Sequence, residues 1–378
     1  MRLLRTRHRA RSPRARQVRA LATLLLLALA VPTGVSYGRA LTYPGDASFS
    51  VRSVEWVREH GGAPLVNAVE NWYYSRQAPA ATGAPQDALA PTRATRQATR
   101  AQTARQELPR VQLLPGVARL RGEGVWQPIG ADGILRATWL RADPKHLPVV
   151  ATAVLIPAAR LALHLSPGTR EPVVGAASGE STRVPQAAWS RLVATFNSGF
   201  KMKDSHGGFQ LAGRTYVPLR QGRASLVLTT TGGWRMGAWG SDVGPARDVA
   251  AVRQNLDLVV ENGRPVPGVA TNANGRWGTA HTQFQYTTRS GLGVTAAGDL
   301  IYVSGRSMTL GVLADAMSRL GVVTGMQLDI HPQMVTFNLV SARTGGALTT
   351  AKLQSSMVPS SRRYLTSDQR DFFYLTRR

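Results

Sequence analysis

The sequence contains no cysteine, and this absence excludes several kinds of site at once. A chain without thiols forms no disulfide scaffold, no zinc–thiolate centre and no cysteine nucleophile. The glycine-rich phosphate loop of the Walker type and the G-x-S-x-G segment of serine hydrolases are also missing. No H-E-x-x-H pattern or dense acidic cluster is present, so we expect no metal and no cofactor. Nucleotide hydrolysis and serine-esterase chemistry are therefore not expected.

Acidic residues are scarce, because 21 Asp and Glu stand against 46 Lys and Arg and leave a net charge of +25. Such an excess can indicate a nucleic-acid partner. The densest basic tract, however, consists of eight arginines before residue 20, and it directly precedes an uncharged apolar segment. That position is typical of a targeting or anchoring signal. We therefore expect no nucleic acid among the partners.

The charge-free segment 20–38 contains the run Leu24-Leu25-Leu26-Leu27-Ala28-Leu29-Ala30. Two interpretations stay open. Ala28-Leu29-Ala30 fits the small-residue pattern of a signal-peptidase site, and cleavage there would give a secreted protein. At about 1.5 Å per residue, the segment also nearly matches a hydrocarbon core of about 30 Å. We favour a retained transmembrane anchor, with the basic tail 1–19 cytoplasmic and the chain beyond Arg39 extracellular.

The remaining chain divides by composition into three parts. Residues 39–77 carry valines and tryptophans at helical spacing, which predicts a juxtamembrane helical segment used for packing or interfacial anchoring. Residues 78–109 are rich in Ala, Thr, Pro, Gln and Arg without apolar periodicity, which predicts a flexible linker. Residues 110–378 form the predicted main domain, and the 43% hydrophobic content is enough for a substantial core.

Short strand-like runs and glycine turns dominate the predicted main domain. The runs include 135–140, 149–156, 161–165, 225–230 and 256–260. Two more, 292–296 and 300–303, flank Gly298 and predict a hairpin. No long alternation of strands and helices is visible, so the pattern predicts an α+β fold with a mainly antiparallel sheet and a few packed helices.

The most informative stretch follows this hairpin. Thr309 is placed to cap a helix whose apolar residues recur at three- and four-residue spacing up to Leu320. The next strand, 326–331, alternates so that Gln327, Asp329 and His331 share its polar face. Two titratable groups therefore meet at a strand end that Pro332 terminates.

These residues resemble the phosphodiester glycosidase domain, the family of the lysosomal uncovering enzyme that removes N-acetylglucosamine from a phosphodiester on mannose. The resemblance is carried by Arg289-Ser290-Gly291-Leu292-Gly293-Val294, the Gly298-Asp299 turn, the Thr309 helix, Leu328-Asp329, Ala194-Thr195-Phe196-Asn197-Ser198-Gly199-Phe200 and His206-Gly207-Gly208-Phe209. It covers roughly residue 113 to the C-terminus and implies the same α+β fold. Many members carry Asp-Gly-Gly-Gly-Ser after the last strand, whereas this chain has Asp329-Ile330-His331-Pro332-Gln333.

Asp329 and His331 are the candidate catalytic residues. A carboxylate at the polar end of an apolar strand can act as general acid, general base or acceptor of a sugar hydroxyl. The alternative for Asp329 is an aspartate that caps the following turn. His331 can share a proton with Asp329 or donate to a phosphate, and the alternative is an ordinary turn residue before proline.

The candidate substrate-binding residues are Arg289, Asn197, His206, Asn274 and Trp277. The fork of Arg289 can hold a phosphodiester, although most arginines in such a chain are solvated surface charges. Asn197 and His206 can line a sugar site or simply form turns. Asn274 and Trp277 offer an amide and an aromatic plate for a sugar ring, or belong to a long loop with a packed tryptophan.

The N-terminal segment predicts an exported, membrane-tethered protein, and the resemblance implies a hydrolase that cleaves a sugar-1-phosphodiester of envelope or extracellular glycans. Its expected partners are a sugar-phosphate or glycan substrate and the membrane at the N-terminal segment. The glycine-serine loop is replaced in this chain. An alternative is therefore a non-catalytic glycan-binding or envelope-assembly protein on the same scaffold.

Overall fold

A computed structural model of the chain describes residues 13–43, 47–89, 108–172, 179–272, 274–278, 285–343 and 345–378. The described chain forms two compact units. The first unit ends at Val66 and the second runs from Asn67 to Arg378.

The first unit is helical. Helix α1 spans Pro13–Thr42, α2 spans Phe49–Val57, a π-type turn covers Arg58–Gly62, and α3 (Ala63–Ser75) begins in this unit. Within α1, the 23 residues of Ala20–Thr42 have a mean hydropathy of 1.8 and none of the apolar window is buried. This helix is long and apolar enough to cross a membrane, and a signal sequence has the same properties. It continues past Gly38 to Thr42, and Pro32 lies inside it.

The described part of the second unit contains three antiparallel sheets. The largest has the order β1-β2-β3-β14-β13-β15-β11-β12. Its strands are β1 (Gln127–Ile129), β2 (Leu135–Arg141), β3 (Val150–Ile156), β14 (Leu300–Met308), β13 (Thr287–Thr295), β15 (Val322–Ile330), β11 (Leu258–Glu261) and β12 (Arg264–Pro265). Strands β2 and β3 are buried along their whole length, because both faces of this part of the sheet are covered.

The two other sheets have five strands each. One has the order β17-β16-β5-β18-β4, with β17 (Leu348–Lys352), β16 (Phe337–Ala342), β5 (Leu192–Asn197), β18 (Phe372–Arg377) and β4 (Leu161–Ser166). The other has the order β7-β6-β10-β8-β9, with β7 (Arg214–Val217), β6 (Phe209–Leu211), β10 (Val249–Gln254), β8 (Ala224–Thr229) and β9 (Trp234–Ala238).

Few helices accompany these sheets. Among the described residues after Ser75 they are α4 (Met202–Ser205), α5 (Leu310–Arg319) and single 3₁₀ turns at Gln186–Arg191 and Arg363–Leu365. The Thr309 hydroxyl accepts a hydrogen bond from Val312 N at 3.3 Å, so the predicted cap is present. Leu313 and Met317 of α5 are buried in the core. The predicted α+β fold with mainly antiparallel sheet is therefore confirmed.

The first part of the predicted linker belongs to the second unit and contacts one of its loops. Leu147 N donates to Ala81 O at 3.0 Å, and Gln86 N donates to Pro148 O at 2.9 Å. Both contacts are to the loop between β2 and β3. Residues 90–107, the rest of that segment, lie outside the described residues, and its flexibility stays a prediction.

Strand ends from two sheets meet next to Asp329. Asp329 N, in β15, donates to Ser198 O just after β5 at 3.0 Å. Strand β18 pairs with β5 so that Phe372 lies opposite Asn197, which brings the preceding residues Arg370 and Asp371 to the same corner. The fold therefore gathers three distant parts of the sequence around one carboxylate.

Candidate active site

Asp329 lies at the end of β15 and is 6% exposed. Its backbone is fixed on both sides, because its N–H donates to Ser198 O at 3.0 Å and its C=O accepts from Ser290 Oγ at 2.8 Å. One carboxylate oxygen, Oδ1, accepts a hydrogen bond from Ile330 N at 2.9 Å. The position of the carboxylate is therefore set by two neighbouring strand ends.

The second carboxylate oxygen of Asp329 faces Arg370. Asp329 Oδ2 lies 3.0 Å from Arg370 Nη2, which is ion-pair distance. The orientation does not meet hydrogen-bond geometry, and across the described parts of the chain neither Oδ2 nor Arg370 Nε has a hydrogen-bond partner. Arg370 Nη2 donates instead to Gly199 O at 3.0 Å. Buried polar atoms without partners are costly, so this corner is suited to a bound polar molecule.

Lys201 adds a second cation to this corner. Burial lowers the pKa of Lys201 to about 8, and repulsion from Arg370 and Lys203 acts in the same direction. The charge of Asp329 opposes this effect on Lys201. Burial also raises the pKa of Asp329, and the nearby charge of Arg370 offsets only part of that rise. The site thus combines a carboxyl that resists ionisation with two cations.

Two ion pairs hold the segments that carry these cations. Arg253 Nε lies 2.7 Å from Asp371 Oδ2, and both side chains are almost wholly buried. Arg253 Nη2 also donates to Phe200 O at 2.6 Å, which fixes the backbone beside Lys201. On the other side, Asp368 Oδ1 accepts from Arg370 N at 2.9 Å while it pairs with Arg363. The surroundings of the site are therefore rigidly connected.

Asn197 is 2% exposed, and its amide joins three strands. Its Nδ2 donates to Ser290 Oγ at 3.0 Å, and its Oδ1 accepts from Tyr302 Oη and from Thr336 N, each at 3.1 Å. Because Ser290 in turn bonds to the backbone of Asp329, Asn197 positions the strand end that carries the carboxylate. Its predicted contact with substrate stays a prediction.

Arg289 is 2% exposed, so it is not a solvated surface charge. Its Nε donates to Met308 O at 2.8 Å, its Nη1 to Gln327 Oε1 at 3.1 Å and its Nη2 to Gln285 O at 3.3 Å. Burial lowers the pKa of Arg289 to about 10. The guanidinium is therefore held by oxygen atoms of the protein itself, and a contact with phosphate stays a prediction.

His331 occupies a backbone position that suits glycine. Its φ of 76° lies in the left-handed region, and the family pattern has a glycine at this place. Its Nδ1 lies 3.0 Å from Thr287 Oγ1, and its ring stacks on Tyr74 with centroids 4.9 Å apart. Its Nε2 is 3.9 Å from Glu70 Oε2. These ring contacts are to β13 and to the end of α3, and the catalytic role of His331 stays a prediction.

The other predicted substrate-binding residues are spread over loops. His206 is exposed and has a left-handed φ of 49° at the end of α4. Asn274 is exposed as well. Trp277 is 4% exposed and its Nε1 donates to Leu258 O at 2.9 Å, so its ring packs in the core, as in the alternative considered above. Within the described ranges, no group of three or more acidic or histidine residues is placed to hold a metal.

Sequence reasoning missed Lys201 and Arg370. A local signal existed for Lys201, which directly follows the motif that ends at Gly199-Phe200. For Arg370 the only signal was its place just before the last strand. Its approach to Asp329 depends on the pairing of β18 with β5, which no local pattern reveals.

Comparison with known proteins finds one family model that matches the region of this site. Residues 190–329 match the family model of the phosphodiester glycosidase domain, and the match ends at Asp329. The resemblance predicted from the motifs is therefore confirmed, and the matched domain supports a glycosidase-like function. No curated protein matches the chain significantly.

Similar solved structures include the catalytic domain of zebrafish N-acetylglucosamine-1-phosphodiester alpha-N-acetylglucosaminidase, auto-inhibited by its pro-peptide. It is 16% identical, with a TM-score of 0.42 over 65% of this chain and 84% of that chain. A hypothetical protein from Synechocystis is 14% identical, with a TM-score of 0.32 over 61% of this chain and 59% of that chain.

Proposed function

We propose that this protein hydrolyses the anomeric C–O bond of a sugar-1-phosphodiester, with Asp329 as the catalytic carboxylate. The observation that carries the proposal is the position of Asp329, which ends the family-matched segment and is buried with one oxygen unbonded beside Arg370. Phosphate is a good leaving group, so the site needs mainly charge stabilisation and an activated water.

In the proposed reaction, water attacks the anomeric carbon as the bond from that carbon to the phosphate oxygen breaks. The leaving phosphate monoester keeps the bonding electrons, and Asp329 accepts the proton of the water. Burial raises the pKa of Asp329, which makes this carboxylate a stronger base than an exposed one. The products are the free sugar and the phosphate monoester.

In this proposal, other predicted site residues position the catalytic strand end or contact the substrate. Asn197 holds the strand end of Asp329 through Ser290. His331 orients groups at the rim of the site, where it contacts Thr287 and Tyr74. His206 and Asn274 are exposed and free of the core, so they are the candidates for contacts with outer sugar units.

We also propose that the protein is exported and tethered to a membrane by the apolar helix Ala20–Thr42. The arginine-rich flank before that helix favours a cytoplasmic N-terminus and an extracellular second unit. Protease treatment of intact protoplasts tests this orientation. Protection of residues 78–109 would contradict it, and release of the mature chain into the medium would favour a cleaved signal peptide.

One observation favours a non-catalytic alternative. The family's glycine-serine loop is replaced by Ile330-His331-Pro332-Gln333, and His331 adopts its left-handed conformation without the freedom of glycine. A stiffer loop would suit a protein that binds a glycan and keeps it intact.

The decisive experiment measures free sugar released from an alkyl or aryl sugar-1-phosphodiester. We expect turnover by the wild-type protein and a loss of about 10² to 10⁴ in Asp329→Asn, because the amide cannot accept a proton. Asp248→Asn is the matched control, since its carboxylate pairs with Arg235 at the surface. Thermal melting checks the fold of both variants.

Full activity in Asp329→Asn would remove this carboxylate from the mechanism. Binding of the intact phosphodiester without any product, in the wild-type protein, would favour the non-catalytic alternative.

A further inference from the structure

We propose that Lys201 and Arg370 form an anion subsite that holds the phosphate of the substrate beside Asp329. This proposal rests on the proposed function, and it places the phosphate away from Arg289. It assigns a ligand to two residues that the sequence motifs did not indicate.

The geometry of Arg370 supports an anion at this place. One of its outer nitrogens is fixed by Gly199 O at 3.0 Å, while the buried Nε has no acceptor among the described residues. The nearby Asp329 Oδ2 is at ion-pair distance but does not meet hydrogen-bond geometry. A phosphate oxygen approaching the Nε edge would supply the missing acceptor, which is how planar guanidinium groups commonly hold phosphates.

The proximity of Lys201 to Arg370 supports the same conclusion. Lys201 lies two residues after Gly199, whose carbonyl accepts the hydrogen bond from Arg370 Nη2 at 3.0 Å, so the two cations come from adjoining segments of a partly buried corner. Repulsion from Arg370 also contributes to the lowered pKa of Lys201. Like charges at short range are unfavourable unless an anion lies between them. A phosphodiester carries one negative charge and two non-bridging oxygens, and both cations can share it.

Two acidic groups around the corner are paired with other arginines. Asp371 pairs with Arg253, and Asp368 pairs with Arg363. Glu171 accepts a hydrogen bond from Met202 N at 2.5 Å, and the charge of the exposed Asp204 acts to raise the pKa of Lys201. Asp329, the base of the proposed reaction, lies at ion-pair distance from Arg370 and balances one cation. Asp371 and Asp368 are balanced by arginines other than Arg370.

Arg289 is less suited to this task. Each of its three nitrogens donates to an oxygen of the protein, namely Met308 O, Gln327 Oε1 and Gln285 O. A phosphate would have to break these buried hydrogen bonds, which is costly. In this proposal Arg289 is a positioning residue for β13 and β15.

The test is titration calorimetry with inorganic phosphate at fixed pH and ionic strength, using the full chain in mild detergent. We expect Lys201→Met and Arg370→Gln each to weaken phosphate binding about tenfold or more, because each removes a charge-assisted contact. Lys203→Met is the matched control, since this lysine is exposed two residues away, and we expect less than a twofold change. Lys201→Arg should restore most of the affinity.

The pH dependence of anion affinity provides a second measurement, which does not require the Arg370 variant to fold. With sulfate, whose charge is constant over this range, wild-type affinity should fall as the pH rises through about 8, where Lys201 loses its proton. Lys201→Met should lack this fall. A wild-type affinity that is flat across this range would overturn the assignment to Lys201.

The outcomes separate the two proposals. Wild-type turnover with unchanged phosphate affinity in Lys201→Met and Arg370→Gln would overturn the subsite and leave the proposed function standing. Weakened phosphate binding in these variants, with no product from the wild-type protein, would support the subsite and refute the hydrolytic function. If folded Arg289→Lys loses phosphate affinity and Lys201→Met does not, the phosphate binds at Arg289, and the proposed subsite is overturned.

Discussion

Replacing Lys201 with methionine is expected to stabilise the folded protein near pH 7. The pKa of Lys201 falls from its ordinary 10.5 to about 8, chiefly because the charged amine is buried. A difference of about 2.5 in pKa corresponds to roughly 3.4 kcal/mol that the folded state loses when the amine is protonated. Methionine removes this cost and gives up the polar interactions of the amine, worth about 1 kcal/mol. The net gain should be roughly 1–3 kcal/mol.

The pH dependence of this gain has a definite sign. Below about pH 8 the amine is charged in both the folded and the unfolded state, so the full penalty is present in the wild-type protein. Between about pH 8 and 10.5 the folded protein binds fewer protons than the unfolded one, so wild-type stability rises with pH. The advantage of Lys201→Met should therefore shrink over this range.

Thermal melting of the full chain in mild detergent, at pH 7 and near pH 10, measures the effect. A gain of 1 kcal/mol raises the melting temperature by about 2–4 °C in domains of this order of size. Lys203→Met, at an exposed lysine, should show no comparable gain. A Lys201→Met protein that melts below the wild type at both pH values would refute the reasoning, because the amine would then be a net stabilising group.

The remaining predictions concern activity, charge, packing and backbone strain. Turnover should fall at pH values below the raised pKa of Asp329, where the base becomes protonated. It should also fall above about pH 8, where Lys201 loses its charge. A pH–rate profile that is flat across both ranges would contradict these roles. Arg253→Met should lower the free energy of unfolding by about 3–5 kcal/mol, because Asp371 is left buried and unpaired. In denaturant unfolding, the double variant Arg253→Met, Asp371→Leu should recover part of that lost stability. Gly293→Ala should cost about 1–3 kcal/mol, because its new Cβ would collide with Val322, and an unchanged melting temperature would argue against that packing. His331→Gly should melt within a few degrees of the wild type, since relief of the left-handed φ offsets about 1 kcal/mol lost with the Thr287 contact.

The sequence was most informative where a local pattern determines a local structure. Alternation and a glycine turn predicted the β13–β14 hairpin, which forms with Gly298 at a φ of 84°. Helical spacing after Thr309 predicted α5. The same alternation placed Asp329 at the end of its strand, where the structure shows it buried. These features depend on neighbours in the chain, so they could be predicted from the sequence.

Features created by long-range pairing could not be predicted in this way. Arg370 reaches Asp329 only because β18 lies next to β5. Trp277 packs near Leu258 in the core, because tertiary burial decides the place of an aromatic ring in a loop, and its contact with a sugar ring stays a prediction. Gly293, in the family motif, allows Val322 to pack closely against the backbone. No local sequence pattern distinguishes a glycine with this role from one that lets a ligand approach the backbone.

The most direct test of the central claim follows the oxygen of water during hydrolysis of a sugar-1-phosphodiester in ¹⁸O-labelled water. If the protein cleaves the anomeric C–O bond at the Asp329 site, mass spectrometry will find the label in the sugar and none in the phosphate monoester. Asp329→Asn will form both products about 10² to 10⁴ times more slowly. Label in the phosphate would show attack at phosphorus and contradict the account.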